Sequence, residues 1–436
     1  MKNSSDVLKA SEVLFSIFKP YFYMLSIFNL FVFLLLSAQI LNAQEIIKID
    51  PERMSRGTLT LSDLVASIEY IPLETNRSCL IGEIRRSEHL KISDNYILVY
   101  CNTSQSFYLF NRAGEFITKI GSRGRGPGEY LLGATPFAID EKNWQVIIAN
   151  TIGSNTGQLI YYDMNGKHVR SVSVDGRFVG AIPSVQFDDK YIAMHLNNPF
   201  KEGDPPFNYS IFSNDYKLIT QKIKNVDYIS TQQMAGTFIG EYYIYFYNGQ
   251  LHVKNAVLND TVYSISKNLS FFPKYIINFG SYSFTSQVLS DPELYRRVVH
   301  NHTLLRSVFE TNNYVLISYM FKEKYFYQYY DKSQRRSMLF HSTSGIPGDY
   351  FGLEFANGIP NDYDGGLDFW PKQQNGNEFI SWHNAYLFEE NENKMKPKGP
   401  SKAVNYFEET VHNMAPKNLP PQTEANPIVV IVKFKQ

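Results

Sequence analysis

Three carboxylates crowd one short stretch of the chain: Asp362, Asp364 and Asp368 surround the pair Gly365-Gly366. Hard oxygen donors on a glycine turn suit a hard divalent cation, and calcium is the cofactor that this reading implies. The spacing departs from the twelve-residue calcium loop, because a further acid and the closing Glu are missing. The same residues equally suit a turn in which Asp side chains accept bonds from their own backbone, and then no cofactor is called for. Trp370 stands two residues beyond Asp368, as a stacking platform for a sugar or as core. His383 closes a strand-like pentad, where a hydrogen-bonded core or channel histidine is the usual outcome. His300 and His302 are spaced to point the same way on a strand, but a zinc site needs more ligands than these two.

A second constellation runs from Gly121 to Glu129. Gly121, Gly124, Gly126 and Gly128 free the backbone, while Arg123, Arg125 and Glu129 supply charge. Exposed backbone N–H groups can form an anion-binding nest, and two guanidiniums can grip an acidic group through paired bonds. The plainer use of such glycines is a tight crossover that needs positive φ. A phosphate-binding P-loop is excluded, because no Gly-Lys-Ser/Thr follows. Ser342-Thr343-Ser344-Gly345 lacks the Gly-x-Ser-x-Gly elbow of an α/β-hydrolase.

The elements that must position these residues repeat along the chain. A β-branched and aromatic pentad starts at Tyr96, Val146, Tyr191, Tyr243, Tyr314 and Phe379, at intervals of 50, 45, 52, 71 and 65 residues. Polar turn formers precede each copy, such as Ser93-Asp94-Asn95, Asp188-Asp189 and Asn375-Gly376-Asn377. A second apolar segment follows each pentad, at Phe107–Gly114, Leu159–Gly166, Tyr209–Asp215, Val262–Ser266, Phe326–Asp331 and Ala385–Glu389. Further strands leave the first two turns at Phe116–Ile120 and Val169–Val174. Four-stranded units at a mean spacing of about 57 residues match the period of propeller blades. The expected fold is therefore all-β: a six-bladed β-propeller of four-stranded antiparallel blades, spanning residues 44–436, with short helical insertions. One helix is expected near 290–306, opened by Ser290-Asp291-Pro292-Glu293, and another near 402–413. Ile428–Phe434 ends the chain as a strand, and with Ile68–Leu73 it is expected to complete one blade from both chain ends.

Composition sets bounds on partners and compartment. Lys+Arg and Asp+Glu both number 42, so the formal charge is zero. Phosphate neutralisation wants a basic excess, so nucleic acid is not an expected partner. Aromatic residues make up 15%, with 31 Tyr and 32 Phe, enough for a large strand-rich core. Lys2, Lys9 and Lys19 precede an uncharged stretch over residues 20–44, which holds the apolar run 30–36 and leaves through small residues at 37–44. This is the layout of a secretory signal over residues 1–43, cut after Ala43, with Met24 as an alternative start. An uncleaved anchor is the alternative, since the stretch is long enough to span a bilayer, although Ser26, Asn29, Ser37, Gln39 and Asn42 weaken it. No later run is long enough to cross a membrane, and no cysteine precedes Cys79 to accept a lipid. A hairpin turning at Ser93-Asp94-Asn95 puts Cys101 opposite Ser87 and Cys79 eight residues further, roughly 26 Å at ~3.3 Å per residue. Disulfide Cα atoms sit about 4.4–6.8 Å apart, so no bridge is expected.

Several motifs carry a family resemblance. Ile120–Tyr130 is similar to the glycine-rich turn of NHL-type propellers. With Tyr70-Ile71-Pro72-Leu73-Glu74, Asn361–Pro371 and Asn426–Val430, it resembles the secreted six-bladed β-propellers abundant in Bacteroides-type bacteria. The resemblance implies a fold and a periplasmic or extracellular, non-lipidated protein; it carries no catalytic residues. The expected function is a non-catalytic binding or scaffold role, with a peptide, a glycan or an envelope protein held on the propeller face through Arg123, Arg125, Glu129, Trp370 and His383. The alternative is a metal-dependent lactonase or lyase of the kind found on NHL-like propellers, built around Asp362, Asp364 and His383.

Overall fold

β-branched and aromatic side chains suit a pleated, buried surface, and each of the apolar pentads becomes a strand. The computed structural model describes residues 44–435 except 83, 85–88, 132–136, 154–155, 176–181, 188–189, 195–206, 214–216, 225–242, 255–259, 284–291, 345–357, 390–396 and 414–423. The signal expected over 1–43, the cap at Ser290-Asp291, the turn Asp188-Asp189 and the hairpin partner Ser87 lie outside the described residues.

The chain opens with β1 (Glu45–Lys48), a one-turn helix α1 (Leu61–Leu64) and β2 (Val65–Pro72). A first group follows: β3 (Leu90–Ile92), β4 (Tyr96–Cys101), β5 (Ser106–Asn111) and β6 (Phe116–Ile120). A short parallel pair, β7 (Ser122–Arg123) and β8 (Glu129–Tyr130), leads to the second group. That group is β9 (Phe137–Asp140), β10 (Gln145–Gly153), β11 (Thr156–Asp163) and β12 (His168–Asp175). The third is β13 (Ile182–Phe187), β14 (Lys190–Met194), β15 (Phe207–Ser213) and β16 (Leu218–Lys224). The fourth is β17 (Tyr243–Tyr247), β18 (Gln250–Lys254), β19 (Thr261–Ile265) and β20 (Phe271–Asn278). After α2 (Pro292–Val298) comes the fifth: β21 (Leu304–Glu310), β22 (Tyr314–Phe321), β23 (Lys324–Asp331) and β24 (Arg336–Ser344). The last elements are β25 (Gln373–Asn375), β26 (Glu378–His383), α3 (Ala385–Glu389), α4 (Ser401–Asn413) and β27 (Ile428–Phe434).

Among the described residues the first, second, third and fifth groups are separate four-stranded antiparallel sheets. The rest form one nine-stranded sheet in the order β1-β20-β19-β18-β17-β25-β26-β27-β2. One parallel bridge, Phe246 with Asn375, joins its two halves. The sixth group is thus β25-β26-β27-β2, with the last strand between β26 and the early strand β2, paired from Val65–Phe434 to Pro72–Ile428. The segment before β2 runs along strand edges: β1 lies beside β20, and Ser55 and Gly57 bond Leu339 of β24 at 2.9 Å each.

Period-two alternation lets one strand feed two cores. In β4, Leu98 and Tyr100 join a core with the second group, whereas Ile97 and Val99 join one with the sixth. In β10, Val146 and Ile148 face the first group while Ile147 and Ala149 pack with Phe212 of the third. Tyr209 and Ile211 of the third meet Leu251 and Val253 of the fourth. The largest core joins the fourth, fifth and sixth groups. Val430 and Val432 of β27 enter it, and Val429 and Ile431 enter the core with the first group.

Several expected elements differ. Val262–Ser266 is not the hairpin partner of β17; β18 is, through the two-residue turn Asn248-Gly249 with φ of 50° and 69°. That is the turn geometry an antiparallel hairpin favours, and Asn-Gly supplies it. Ala385–Glu389 is helix α3, not a strand, because β27 with its β-branched run occupies the place beside β26. The helix expected over 290–306 ends at Val298 and, after a 3-10 turn at Val299–Asn301, gives way to β21, whose residues from Leu305 onward are buried as a strand. His300 and His302 therefore lie off any strand: His300 Nδ1 is 3.1 Å from Glu323, and His302 Nδ1 is 2.8 Å from the Val298 carbonyl. Both cysteines are free and buried, yet the 26 Å geometry fails, since β3 spans three residues only and the chain before it folds back. Cys101 Sγ reaches the Ile81 carbonyl at 2.8 Å, two residues from Cys79, and both cysteines sit in one core. Burial pushes the Cys79 thiol up to about 11.

Trp382 is 2% exposed and donates through Nε1 to the Ile84 carbonyl at 3.1 Å. Trp382→Ala is expected to cost about 3–5 kcal/mol of unfolding free energy, read from urea titration, whereas Trp144→Ala at a 46% exposed ring should stay within ~0.5 kcal/mol. Equal losses would contradict the core assignment.

Candidate functional site

Each group turns after its first strand, and several of these first turns are bonded to a neighbour. Asn95 Nδ2 donates to Glu141 Oε1, tying the first group's turn to the second's. Arg112 donates to the Ser93 carbonyl and to Glu378 Oε2, both at 2.9 Å, and Gln373 Nε2 donates to the Leu90 carbonyl at 2.7 Å, which joins the first group to the sixth. The Tyr247 hydroxyl donates to Asn312 Oδ1, fourth to fifth. Gln374 brackets the Glu310 backbone, accepting from its N at 3.0 Å and donating to its carbonyl at 2.6 Å, fifth to sixth. Trp144 stands exposed on this face at φ 56°, a left-handed conformation rare for a large side chain.

The strongest charge cluster of the face lies between the fourth and fifth groups. The Glu310 carboxyl receives Lys274 Nζ at 2.6 Å, Lys332 Nζ at 2.7 Å and the Tyr275 hydroxyl at 2.7 Å. Burial alone would raise its pKa, but the two ammoniums outweigh burial and hold it below the usual range. Burial lowers Lys274 against the pull of Glu310. Both ammoniums lie 5.6 Å from the Tyr247 ring centre. Behind them His252 stacks on Tyr245 at 4.8 Å and shares a 3.0 Å bond with Ser264 through Nδ1. Burial, with Lys274 next, lowers His252 to about 4, so it is neutral at pH 7.

The aspartate loop is bonded into the fold. Asp362 accepts from Thr60 Oγ1 at 2.8 Å, from the Ser62 backbone N and hydroxyl at 2.9 Å each, and pairs with Lys398 at 2.9 Å. Burial would push it up, but Lys398 and the α1 donors hold it down at about 2. Asp364 takes the Tyr70 hydroxyl at 2.9 Å, Asn361 Nδ2 at 2.9 Å and the Gly366 N at 3.0 Å, and burial raises its pKa. Asp368 accepts from the Asn361 N at 2.9 Å, and burial raises it too. Asp362 is thus bonded to the α1 segment and Lys398, while Asp364 and Asp368 share Asn361 as a partner. Among the described residues no group of three or more His, Cys, Asp or Glu side chains is placed to hold a metal ion.

The other expected site residues lie on separate elements. Trp370 is core, with Nε1 on Ser307 Oγ at 2.9 Å and its ring edge-on to Tyr327 at 5.0 Å. His383 is buried, with Nε2 3.4 Å from Ser381 Oγ, and burial with Lys372 drives its pKa far down. Arg123 and Arg125 are exposed on the loop between the first and second groups, where Glu129 folds inward to accept the Gly126 N at 2.7 Å. Gly121 and Gly128 hold φ of 58° and 76° there, and Tyr162 donates to the Gly128 carbonyl at 2.7 Å, leaving no space for a Cβ at Gly121. Glu310, Lys274 and Lys332 were missed in the sequence. Lys274 inside the apolar run Phe271–Asn278, and Glu310 at the end of the buried strand Leu304–Glu310, were the available signals: charges set within apolar strand segments.

Comparison with known proteins adds family and fold. A family model described as a domain of unknown function, DUF4934, matches residues 44–433. No curated protein matches the chain. The crystal structure of a Bacteroides fragilis protein described as a candidate exported protein is similar at 16% identity and TM-score 0.58, over 90% of this chain and 100% of that one. A DUF4221 member from Bacteroides vulgatus covers 85% of this chain and 97% of its own at 10% identity and TM-score 0.44. The Dos1 propeller covers 66% and 62% at 11% identity and TM-score 0.30. Among the described residues no helix is long and apolar enough to cross a membrane.

Glu310→Gln leaves two lysines without their counter-charge and is expected to cost roughly 3 kcal/mol, seen as a lower urea midpoint at constant slope. Asp362 titrates lower in the fold than when unfolded, so its contribution is present above about pH 4 and is lost as pH falls toward about 2. Asp362→Asn should flatten that part of the stability–pH curve, and an unchanged acid limb would refute the latch.

Proposed function

The chain belongs to the DUF4934 family, and from the turn face we propose that it is an extracytoplasmic six-bladed β-propeller that binds a peptide, a glycan or an envelope protein without transforming it. The carrying observation is the set of bonds by which turns and strand ends of the first group meet the second and sixth, and those of the fifth meet the fourth and sixth, so that much of this face is pre-formed. A surface rigid before contact loses less freedom on binding than a flexible one. The six-bladed reading is supported by the cores: first with second, second with third, third with fourth, fourth through sixth, and sixth with first again. The extracytoplasmic reading is supported by the match opening at residue 44, one past the expected cleavage, and by the Bacteroides fragilis likeness.

Residues 44–436 screened against glycan, peptide and envelope-protein arrays are expected to return a partner. Trp144→Ala together with Asn312→Ala should weaken it at least about tenfold, while Ile117→Ser on the outward strand β6 leaves it unchanged. No partner, or equal weakening by Ile117→Ser, counts against the reading.

A further inference from the structure

Two lysines at the junction of the fourth and fifth groups outnumber the carboxylate between them. Glu310 accepts from three donors, and its side chain is 4% exposed. The lysine side chains keep 26% and 22% exposure, so both are more accessible than the carboxylate they share. Lys274 Nζ spends one N–H on Glu310, and Lys332 Nζ spends two, on Glu310 and on the Thr311 carbonyl at 2.6 Å. An ammonium has three N–H donors, so three are left over, two on Lys274 and one on Lys332. The cluster carries one unit of excess positive charge where water reaches only in part, and there charge interactions are stronger than in bulk solvent. Deeper in, the Tyr245 hydroxyl and His252 Nε2 are buried polar groups without a hydrogen-bond partner among the described residues.

From these groups we infer that the notch between the fourth and fifth groups binds a carboxylate of the partner, with Lys274 and Lys332 as its donors. The inference rests on the turn face being a binding surface and names the chemistry recognised there. A single carboxylate fits because one charge is in excess: it would complete an alternating square of two ammoniums and two carboxylates. Tyr247, its ring beside both lysines and its hydroxyl bonded to Asn312, is buried and backs the two ammoniums from the core side. The carboxylate can come from an acidic peptide side chain or from an acidic sugar.

Calorimetry on residues 44–436 at low salt separates the sources with two probe pairs: triglutamate against triglutamine peptide, and trigalacturonate against neutral trigalactose. The acidic member of one pair is expected to bind roughly tenfold tighter or more than its neutral counterpart, and raising salt should shrink the gap. Lys274→Met and Lys332→Gln should each cut that preference to below about threefold. Acetylation of the unmutated protein by a water-soluble ester, read by mass spectrometry, avoids any folding defect: the acidic probe should slow modification of Lys274 and Lys332 and leave exposed Lys267 unchanged. No acidic preference in either pair, or a preference without protection of these two lysines, overturns the inference. A partner held on the turn face with no acidic preference overturns the carboxylate notch alone, whereas loss of all binding removes both readings.

Discussion

A four-stranded sheet that is apolar on both faces cannot bury either face by itself. That constraint governs this chain. Alternate residues of β4, β10 and β27 enter two different cores, so every group relies on the neighbour at each side. Burial of a Val, Leu, Ile or Phe side chain stabilises by about 1.5–3 kcal/mol, and that gain exists only when the adjacent group is in place. The sixth group meets the constraint by joining distant segments, with β27 between β26 and β2. An early and a late strand are therefore neighbours in one sheet.

Polar groups then follow from where those sheets end. Strand ends and turns leave backbone and side-chain donors that must be satisfied. Asp362 and Asp364 answer that need near α1 and Tyr70, fastening the early segment to the loop before β25. Glu310 does so between the fourth and fifth groups, with two lysines where one would balance the charge. Asp362 is bonded mainly by α1 and its cap, whereas Glu310 is held by two part-buried ammoniums and a tyrosine hydroxyl.

The apolar pentads were legible because their signal is local: β-branched and aromatic residues between turn formers. Trp370 and the aspartate loop were legible as motifs but not as roles. Asp362, Asp364 and Asp368 sit within seven residues of one another, yet their partners come from Thr60, Tyr70 and Asn361. Spacing alone could not show that Asp362 and Asp364 take donors from Thr60 and Tyr70, about 300 residues earlier, while Asp368 takes the nearby Asn361 N. Val262–Ser266 and Ala385–Glu389 misled for a related reason. Either could pair as a strand, and what decided was a better competitor, β18 in one case and β27 in the other.

The order of amino acids alone determined that this is a strand-built chain with repeated hairpins, because side-chain alternation and turn chemistry act over a few residues. Which strand pairs with which across long gaps, and which charges meet, was decided in three dimensions. Lys274, Glu310 and Lys332 carry no common motif: strand pairing within the fifth group brings Lys332 to Glu310, and the meeting of the fourth group with the fifth brings Lys274 there, at 2.7 and 2.6 Å.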